Sequence, residues 1–344
     1  MKHKVRPNQR VTIDEACENL ALEGLRTLVI SQKIISDEYF AQWQKKYKAA
    51  QADLNNREEM VSRAISELEQ DMELLGITGV EDKLQDEVAL TIESLRGAGI
   101  QVWMLTGDKV ETATCIAISA GFKSRRQQLY FMKELTSPKD AEIKIKEFES
   151  KSDTLLMIDG QTLDLFLQSK HLEEMFFTIA TRAPSVCVCR CSPTQKAEIV
   201  KKINMYTKKR TASVGDGGND VGMILEANVG IGIVGKEGKQ ASLASDFSID
   251  QFSYLRRLIL WHGRLSYKRS AVLSQFVIHR GLIITVIQAI FSIIFYFVAI
   301  PVYNGYLMLG YSTIYTSLPV FSLVFDEDVP VTAVMKFPPL YKTL

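Results

Sequence analysis

The sequence predicts an α/β domain joined to a transmembrane helical hairpin. Three observations predict it. Between about residues 84 and 250, short apolar runs alternate with helical patterns. Gly-rich polar turns follow several of those runs, as they do where strands feed helices. From Gly281 to Phe325 the chain contains no Asp, Glu, Lys or Arg. Its 344 residues are enough for two domains, and a net charge of +1 excludes the strongly basic footprint of a nucleic-acid binder.

Residues 1–75 read as the tail of one domain. Leu25–Ile30 is a predicted strand, and the Pro-free stretch from Asp37 to Leu75, rich in Glu, Lys, Gln and Ala, predicts a helix. Gly76, Gly79 and Glu81-Asp82-Lys83 mark a boundary. A second domain is expected over 76–250. There Glu87–Ala98 has helical periodicity and Ile100–Leu105 predicts a buried strand. Lys109–Ala120 reads as a helix stopped by Gly121. Leu155–Ile158, Val186–Cys191, Thr211–Val214 and Val229–Ile233 predict further strands, with a helix over Thr194–Tyr206. Lys123–Lys151 is polar and reads as a surface excursion. The five cysteines set no disulfide framework. Cys187, Cys189 and Cys191 alternate on one strand face without a second ligand pair, which favours buried packing over a metal site.

A stalk helix is expected over 251–276, followed by the hairpin over 277–326 and a cytosolic tail over 327–344. Gly281–Ile300 is long enough to cross a hydrocarbon core, Pro301 and Asn304-Gly305 make the turn, and a second span runs to Phe325. Arg256, Arg257, Arg264, Lys268, Arg269 and Arg280 precede the first span. Positive-inside logic puts that end, and therefore both ends of the hairpin, in the cytosol. A buried hairpin in a soluble domain is the competing reading of the same apolar segment.

Three polar clusters lie at predicted strand ends, where open α/β sheets bind ligands. Thr106-Gly107-Asp108 offers a hydroxyl, a glycine and helix N-terminal N–H groups suited to a phosphoryl group, although the same triplet also reads as a turn and cap. In Arg190–Lys196, Pro193 stops a strand, Thr194 can cap the next helix, and Lys196 stands in its first turn. A cation there opposes the helix dipole and calls for a nearby anion, or else for solvent. In Gly215-Asp216-Gly217-Gly218-Asn219-Asp220, two carboxylates separated by glycines offer hard oxygen ligands for Mg2+; a plain Gly-Asp turn is the alternative.

These motifs, with Val221-Gly222-Met223 after the last, resemble the phosphorylation-domain motifs of P-type ATPases, which belong to the haloacid dehalogenase superfamily. Gly24–Leu28 resembles the end of their nucleotide-binding domain, and Ile77–Asp86, with Asp82, their hinge. Tyr315–Pro319 and Asp326–Val329 are similar to the sixth span of the phospholipid flippases, so the resemblance covers nearly the whole chain.

The resemblance implies a Rossmann-like fold, ATP as substrate and Mg2+ as cofactor. It implies that Asp216 binds the metal with Asp220 in support, that Thr106, Gly107 and Asn219 contact the phosphoryl group, and that Lys196 neutralises it. Asp108 and Asp220 would order that site, and Arg26 would approach the nucleotide phosphates. The implied activity is ATP-driven movement of phospholipid to the cytosolic leaflet through an aspartyl-phosphate. The bilayer, an accessory membrane subunit and the complementary N-terminal part of the same protein are the implied partners.

The family's Asp-Lys-Thr-Gly-Thr string does not occur in these 344 residues. An inactive membrane fragment with an interaction or regulatory role is therefore the alternative expectation. A soluble dehalogenase-type phosphatase is a further rival, opposed by the uncharged hairpin. Where many flippases carry Tyr-Lys-Asn in the fifth span, this chain reads His279-Arg280-Gly281. Either cation is expected to face a lipid headgroup path or to anchor at the interface. That variant resembles the Golgi and endosomal sub-branch, which implies the trans-Golgi network or endosomes.

Overall fold

The computed structural model describes residues 4–52, 56–80, 83–124, 127–151, 153–235 and 239–344. They form two compact units, one of residues 1–84 and 104–192 and one of residues 85–103 and 193–344.

In the first unit, strands β1 (Arg26–Gln32) and β2 (Glu73–Val80) pair antiparallel from Arg26 opposite Val80 to Gln32 opposite Glu73, with a register shift at Ile30/Ser31. Gly76, expected at a boundary, lies within β2. The single helix expected over Asp37–Leu75 is two helices, Asp37–Ala52 and Arg57–Leu68, followed by β2. Glu58 and Glu59 stand in the first turn of the second helix, where carboxylates complement the helix dipole and favour a fresh start. The two helices pack on each other through Trp43, whose indole donates to the Ala64 carbonyl at 2.8 Å and stacks on Tyr47.

The same unit holds a four-stranded sheet. Its strands are β3 (Trp103–Leu105), β4 (Gln128–Met132), β5 (Thr154–Asp159) and β6 (Ser185–Cys189), ordered β3-β6-β5-β4. Pairing is parallel along β4-β5 and β5-β6. β5 and β6 are buried along their whole length, as strands covered on both faces must be, which is why they read as unbroken apolar runs. The cysteine reading holds: Cys187 and Cys189 are fully buried, with their sulfurs 3.9 Å apart. Their contact and their burial push the Cys187 thiol far up, leaving it inert.

Residues 123–151, expected as a polar surface excursion, instead supply the edge strand β4 and a helix, Pro138–Glu149, capped by the Ser137 hydroxyl. Ala141, Ile145 and Phe148, at helical spacing, form a narrow stripe that buries completely inside an otherwise charged segment.

In the second unit, β7 (Ala212–Gly215), β8 (Val229–Ile233) and β9 (Phe247–Ile249) form a parallel sheet in that order. Its core joins Leu95 and Ala98 to Ile231, Leu255, Leu260 and Val334. Val334 follows the second span, so residues 327–344, expected as a tail, are built into this core.

The expected stalk and first span are continuous. Tyr254–Ile294 is one helical run of 41 residues, interrupted by a π-helical turn at Leu258–Gly263, and it ends six residues before the expected Ile300. The second span, Gly305–Phe325, has 21 residues, roughly 31 Å at 1.5 Å per residue. Mean hydropathies of 2.0 and 1.4 with almost no burial inside the unit are what lipid-facing helices show, and they argue against the soluble buried hairpin.

Candidate functional site

The first cluster lies in the first unit, at the carboxyl end of β3. Here the backbone is tied to the neighbouring strand: Thr106 N–H donates to Val188 O, Cys191 N–H to Thr106 O, and Arg190 N–H to Asp108 O, each at 2.9 Å. Arg190 holds this register in the left-handed region, with φ +49°. The Thr106 hydroxyl donates to Asp108 Oδ2 at 2.8 Å and accepts from Asp108 N–H at 3.1 Å. The helix that follows, Val110–Ser119, has Lys109 at its N-cap with no side-chain cap, so the triplet is not a helix cap. A Cβ on Gly107 would meet nothing closer than Cys191 O at 3.8 Å. Internal packing does not demand a glycine there.

Lys196 of the second cluster meets the third cluster in the second unit. The helix Pro193–Thr207 begins at Pro193, so Thr194 is inside its first turn rather than capping it. Lys196, in that first turn, extends its Nζ to Asp220 Oδ1 at 2.8 Å, and both side chains are nearly buried. The anion that this cation calls for is therefore a carboxylate of the third cluster. Asp220 stands at the end of a 3-10 turn, Gly218–Asp220, after β7. Two glycines make the geometry: a Cβ on Gly215 would lie 2.4 Å from Asp220 Cβ, and one on Gly218 would lie 2.2 Å from Gln240 Oε1. At Gly215 the clash is with the base of a side chain and leaves no room for another residue, whereas at Gly218 the mobile end of Gln240 would have to move aside. Gln240 was not legible as a site residue, because it lies beyond β8 with no motif around it.

Asp216 and Asn219 are exposed on the same turn. Among the described residues no group of three or more His, Cys, Asp or Glu side chains converges. The donor set still fits Mg2+, which takes one or two carboxylates and completes its shell with water and phosphate oxygens. The Arg26 backbone begins β1, while its side chain lies outside the described residues, as does Asp82.

The hairpin carries its own polar ladder. At the end nearest the α/β sheet, Arg269 donates twice to Asp326 O, at 3.0 and 3.2 Å. At the far end, Gln288 accepts from Val302 N–H at 3.0 Å and donates to Ile300 O at 3.3 Å. Between them Arg280 Nη1 donates to Thr316 Oγ1 at 2.8 Å and Ser312 O at 3.2 Å. Thr316 lies near the midpoint of the second span, beside a π-helical turn at Tyr311–Tyr315. Arg280, expected just before the first span, is thus level with the middle of the second. His279, its neighbour, is exposed.

Below the hairpin, a clamp holds the returning chain. Arg264, only 6% exposed at its side chain, binds Asp328 at 2.7 and 2.9 Å and also donates to Thr343 Oγ1 at 3.1 Å and to Leu340 O. Lys268 reaches Asp328 at 3.1 Å, and Trp261 donates to Val329 O at 3.3 Å. The Arg264 hydrogen bond, helped by Lys268, holds the Asp328 carboxyl below the usual range. The basic cluster that suggested topology therefore has a second task, which sequence could not show because its partners lie 60 to 79 residues away.

Comparison with known proteins fixes the family. Residues 242–344 match the family described as phospholipid-translocating P-type ATPase C-terminal, and residues 14–165 match haloacid dehalogenase-like hydrolase. The chain is 52% identical to the probable phospholipid-transporting ATPase IIB of Homo sapiens over 96% of its own length. The chain belongs to the phospholipid-translocating P-type ATPases. Phospholipid-transporting ATPase NEO1 of Saccharomyces cerevisiae is 51% identical over 96% of the chain, and phospholipid-transporting ATPase 2 of Arabidopsis thaliana 40% identical over 96%. The chain spans about 30% of the length of these relatives, at 29%, 29% and 30%. It is thus a portion of such a P-type ATPase, with a haloacid dehalogenase-type α/β fold and two helices long and apolar enough to cross a membrane.

Proposed function

We propose that the whole protein is an ATP-driven translocase that moves phospholipid to the cytosolic leaflet through an aspartyl-phosphate, and that this chain supplies the phosphoryl-site loops and one transmembrane hairpin. The observation that carries this reading is the Lys196–Asp220 pair, seated on a loop whose shape requires Gly215. Phosphoryl transfer needs positioning and charge neutralisation more than covalent chemistry from the protein. Lys196 would neutralise phosphoryl oxygens, with Asp220 holding its ammonium in place meanwhile. Thr106, Gly107, Asp108 and Asn219 would contact the same group, and Arg26 the nucleotide. Asp216, with Asp220 behind it, would hold Mg2+, which when bound supplies charge neutralisation at phosphate oxygens. The nucleophile would come from outside these 344 residues, from the complementary N-terminal part of the protein.

The relatives' names support phospholipid as cargo, and a trans-Golgi or endosomal setting is part of this reading. Both hairpin ends would be cytosolic, since the chain before and after it enters one core. An accessory membrane subunit belongs to the same reading, as does the division into a nucleotide-domain remnant (1–75), a phosphorylation domain (76–250), a stalk helix, the hairpin and a cytosolic C-terminal segment docked on the second unit's core. Arg280 would serve the lipid path: its fork spends one nitrogen on Thr316 and Ser312, and an uncharged hairpin offers it no carboxylate. His279 would flank it.

The test is phosphoenzyme formation from radiolabelled ATP in the full-length protein. Lys196→Met and Asp216→Asn are each expected to lower it about 10²–10³-fold, the scale for losing one preorganised charge-stabilising group. Unchanged labelling in both variants would sink the reading.

A further inference from the structure

The turn joining the two spans, residues 295–304, is uncharged, yet it holds a backbone that L-residues adopt reluctantly. Tyr296 and Phe297 are consecutive non-glycine residues with φ +54° and +60°. Two successive left-handed residues swing their rings away from the helices, leaving Tyr296 92% and Phe297 79% exposed. Tyr306, at the start of the second span, is 88% exposed.

The turn's own polar groups are meanwhile turned inward. Phe297 N–H donates to Ser292 O at 2.6 Å and Ile300 N–H to Val298 O at 2.9 Å. Gln288, from inside the first span, closes the loop from beneath by bonding Val302 N–H and Ile300 O. Asn304 caps the second span by accepting from Tyr306 N–H at 2.9 Å. A loop that bonds most of its backbone N–H groups internally and carries its aromatic rings outside suits a region poor in water. The second span, roughly 31 Å long, matches one hydrocarbon thickness, so its first residues reach the opposite boundary from the α/β sheet. Tyrosine rings, with an apolar body and a polar tip, partition to that boundary, and a wholly apolar phenylalanine ring favours its acyl side.

We infer that this tip is a lipid-docking surface. Tyr296, Phe297 and Tyr306 seat in the headgroup–acyl boundary of the leaflet remote from the second unit's sheet, with phospholipid of that leaflet as the partner. The strained pair aims the rings, and Gln288 is the positioning residue that keeps the loop closed while they are immersed. The inference rests on the hairpin crossing the bilayer and not on the phosphoryl site.

The test uses the 344-residue chain in phosphatidylcholine nanodiscs. Its native tryptophans, Trp43, Trp103 and Trp261, all lie outside the hairpin, so their signal can be subtracted using the unsubstituted chain. In Tyr296→Trp the added emission is expected to be blue-shifted. Lipid brominated high on its acyl chains should quench it at least twofold more than lipid brominated near the chain ends, and aqueous iodide only weakly. Phe297→Trp is the second reporter should the first distort the turn, and Gln288→Leu in either background is expected to erase the shallow-over-deep preference. Strong iodide quenching without bromolipid quenching places the tip in water and overturns the inference. Protection from both quenchers means protein covers the rings, which overturns it equally.

Discussion

Lys196 and Arg280 are both cations withdrawn from bulk water, and the protein treats them in opposite ways. Lys196 is given a fixed carboxylate, Asp220, at 2.8 Å, on a turn that glycines have cleared for it. Among the described residues Arg280 meets a threonine hydroxyl and one carbonyl, and the sequence has no acidic residue between Gly281 and Phe325. The first arrangement is neutral at rest, and on the proposed reading Lys196 keeps Asp220 as its partner while it meets a phosphoryl group. The second keeps a net charge in apolar surroundings, which is costly unless something else compensates. A resting pair suits a site that stores geometry; an uncompensated cation suits a site that waits for an anion.

The largest expected effect breaks the stored pair. In the full-length protein, Asp220→Asn is expected to cut phosphoenzyme formation about 10²–10³-fold, like Lys196→Met. The double variant should be little worse than either single one, because the two side chains act as a unit. Additive losses would mean that the pair is incidental.

Arg280→Met is next. Removing an uncompensated charge from a span is expected to favour membrane insertion by about 2.5–3.5 kcal/mol on translocon scales. The same variant should lower lipid transport in the full-length protein. Glycosylation-tag insertion assays read the first quantity and headgroup-labelled lipid uptake the second. Better insertion with unimpaired transport would reduce Arg280 to an interfacial anchor.

The glycines give a comparison of intermediate size between the two loops proposed for the phosphoryl site. Gly215→Ala would drive a Cβ to 2.4 Å from Asp220 Cβ, whereas Gly107→Ala meets nothing within 3.8 Å. The first is expected to destabilise by about 1–3 kcal/mol, the scale of overpacking. The second should stay within about 0.5 kcal/mol, as a substitution into open space does. Thermal unfolding of the two single variants separates them, and equal effects would show that the Gly215 turn relaxes freely.

That difference also explains what was legible in the sequence. β5 and β6 were readable because burial on both faces makes them unbroken apolar runs. The glycine turn was readable because close packing leaves no alternative residue. The 123–151 segment was misread because its buried stripe is only Ala141, Ile145 and Phe148 among charges, and composition outweighed spacing. Helix ends were misplaced where local signals were thin: Thr194 looked like a cap but Pro193 already starts the helix, and the first span stops at Ile294 because the chain turns left-handed at Tyr296. Arg280's depth and the Arg264–Asp328 clamp depend on pairing between segments distant in sequence, and no local pattern encodes that.

The smallest expected effect tests the clamp, where the cation again has a carboxylate but stands outside the membrane. Asp328 has its carboxyl held below the normal range by Arg264 and then Lys268. A depressed carboxylate contributes stability at pH values above its unfolded value, and that contribution is lost as pH falls through the lower folded value. Asp328→Asn is therefore expected to be somewhat less stable than the native chain near neutrality, and to lose less stability on acidification below about pH 4. Trp261, bonded to Val329 O beside the clamp, is the fluorescent reporter of its opening. Parallel stability curves for the two proteins from pH 7 to pH 3 would mean that solvent screens the pair. Val334 and its apolar neighbours, with the hydrogen bonds of Arg264 to Leu340 O and Thr343 and of Trp261 to Val329 O, would then fasten the returning chain to the sheet.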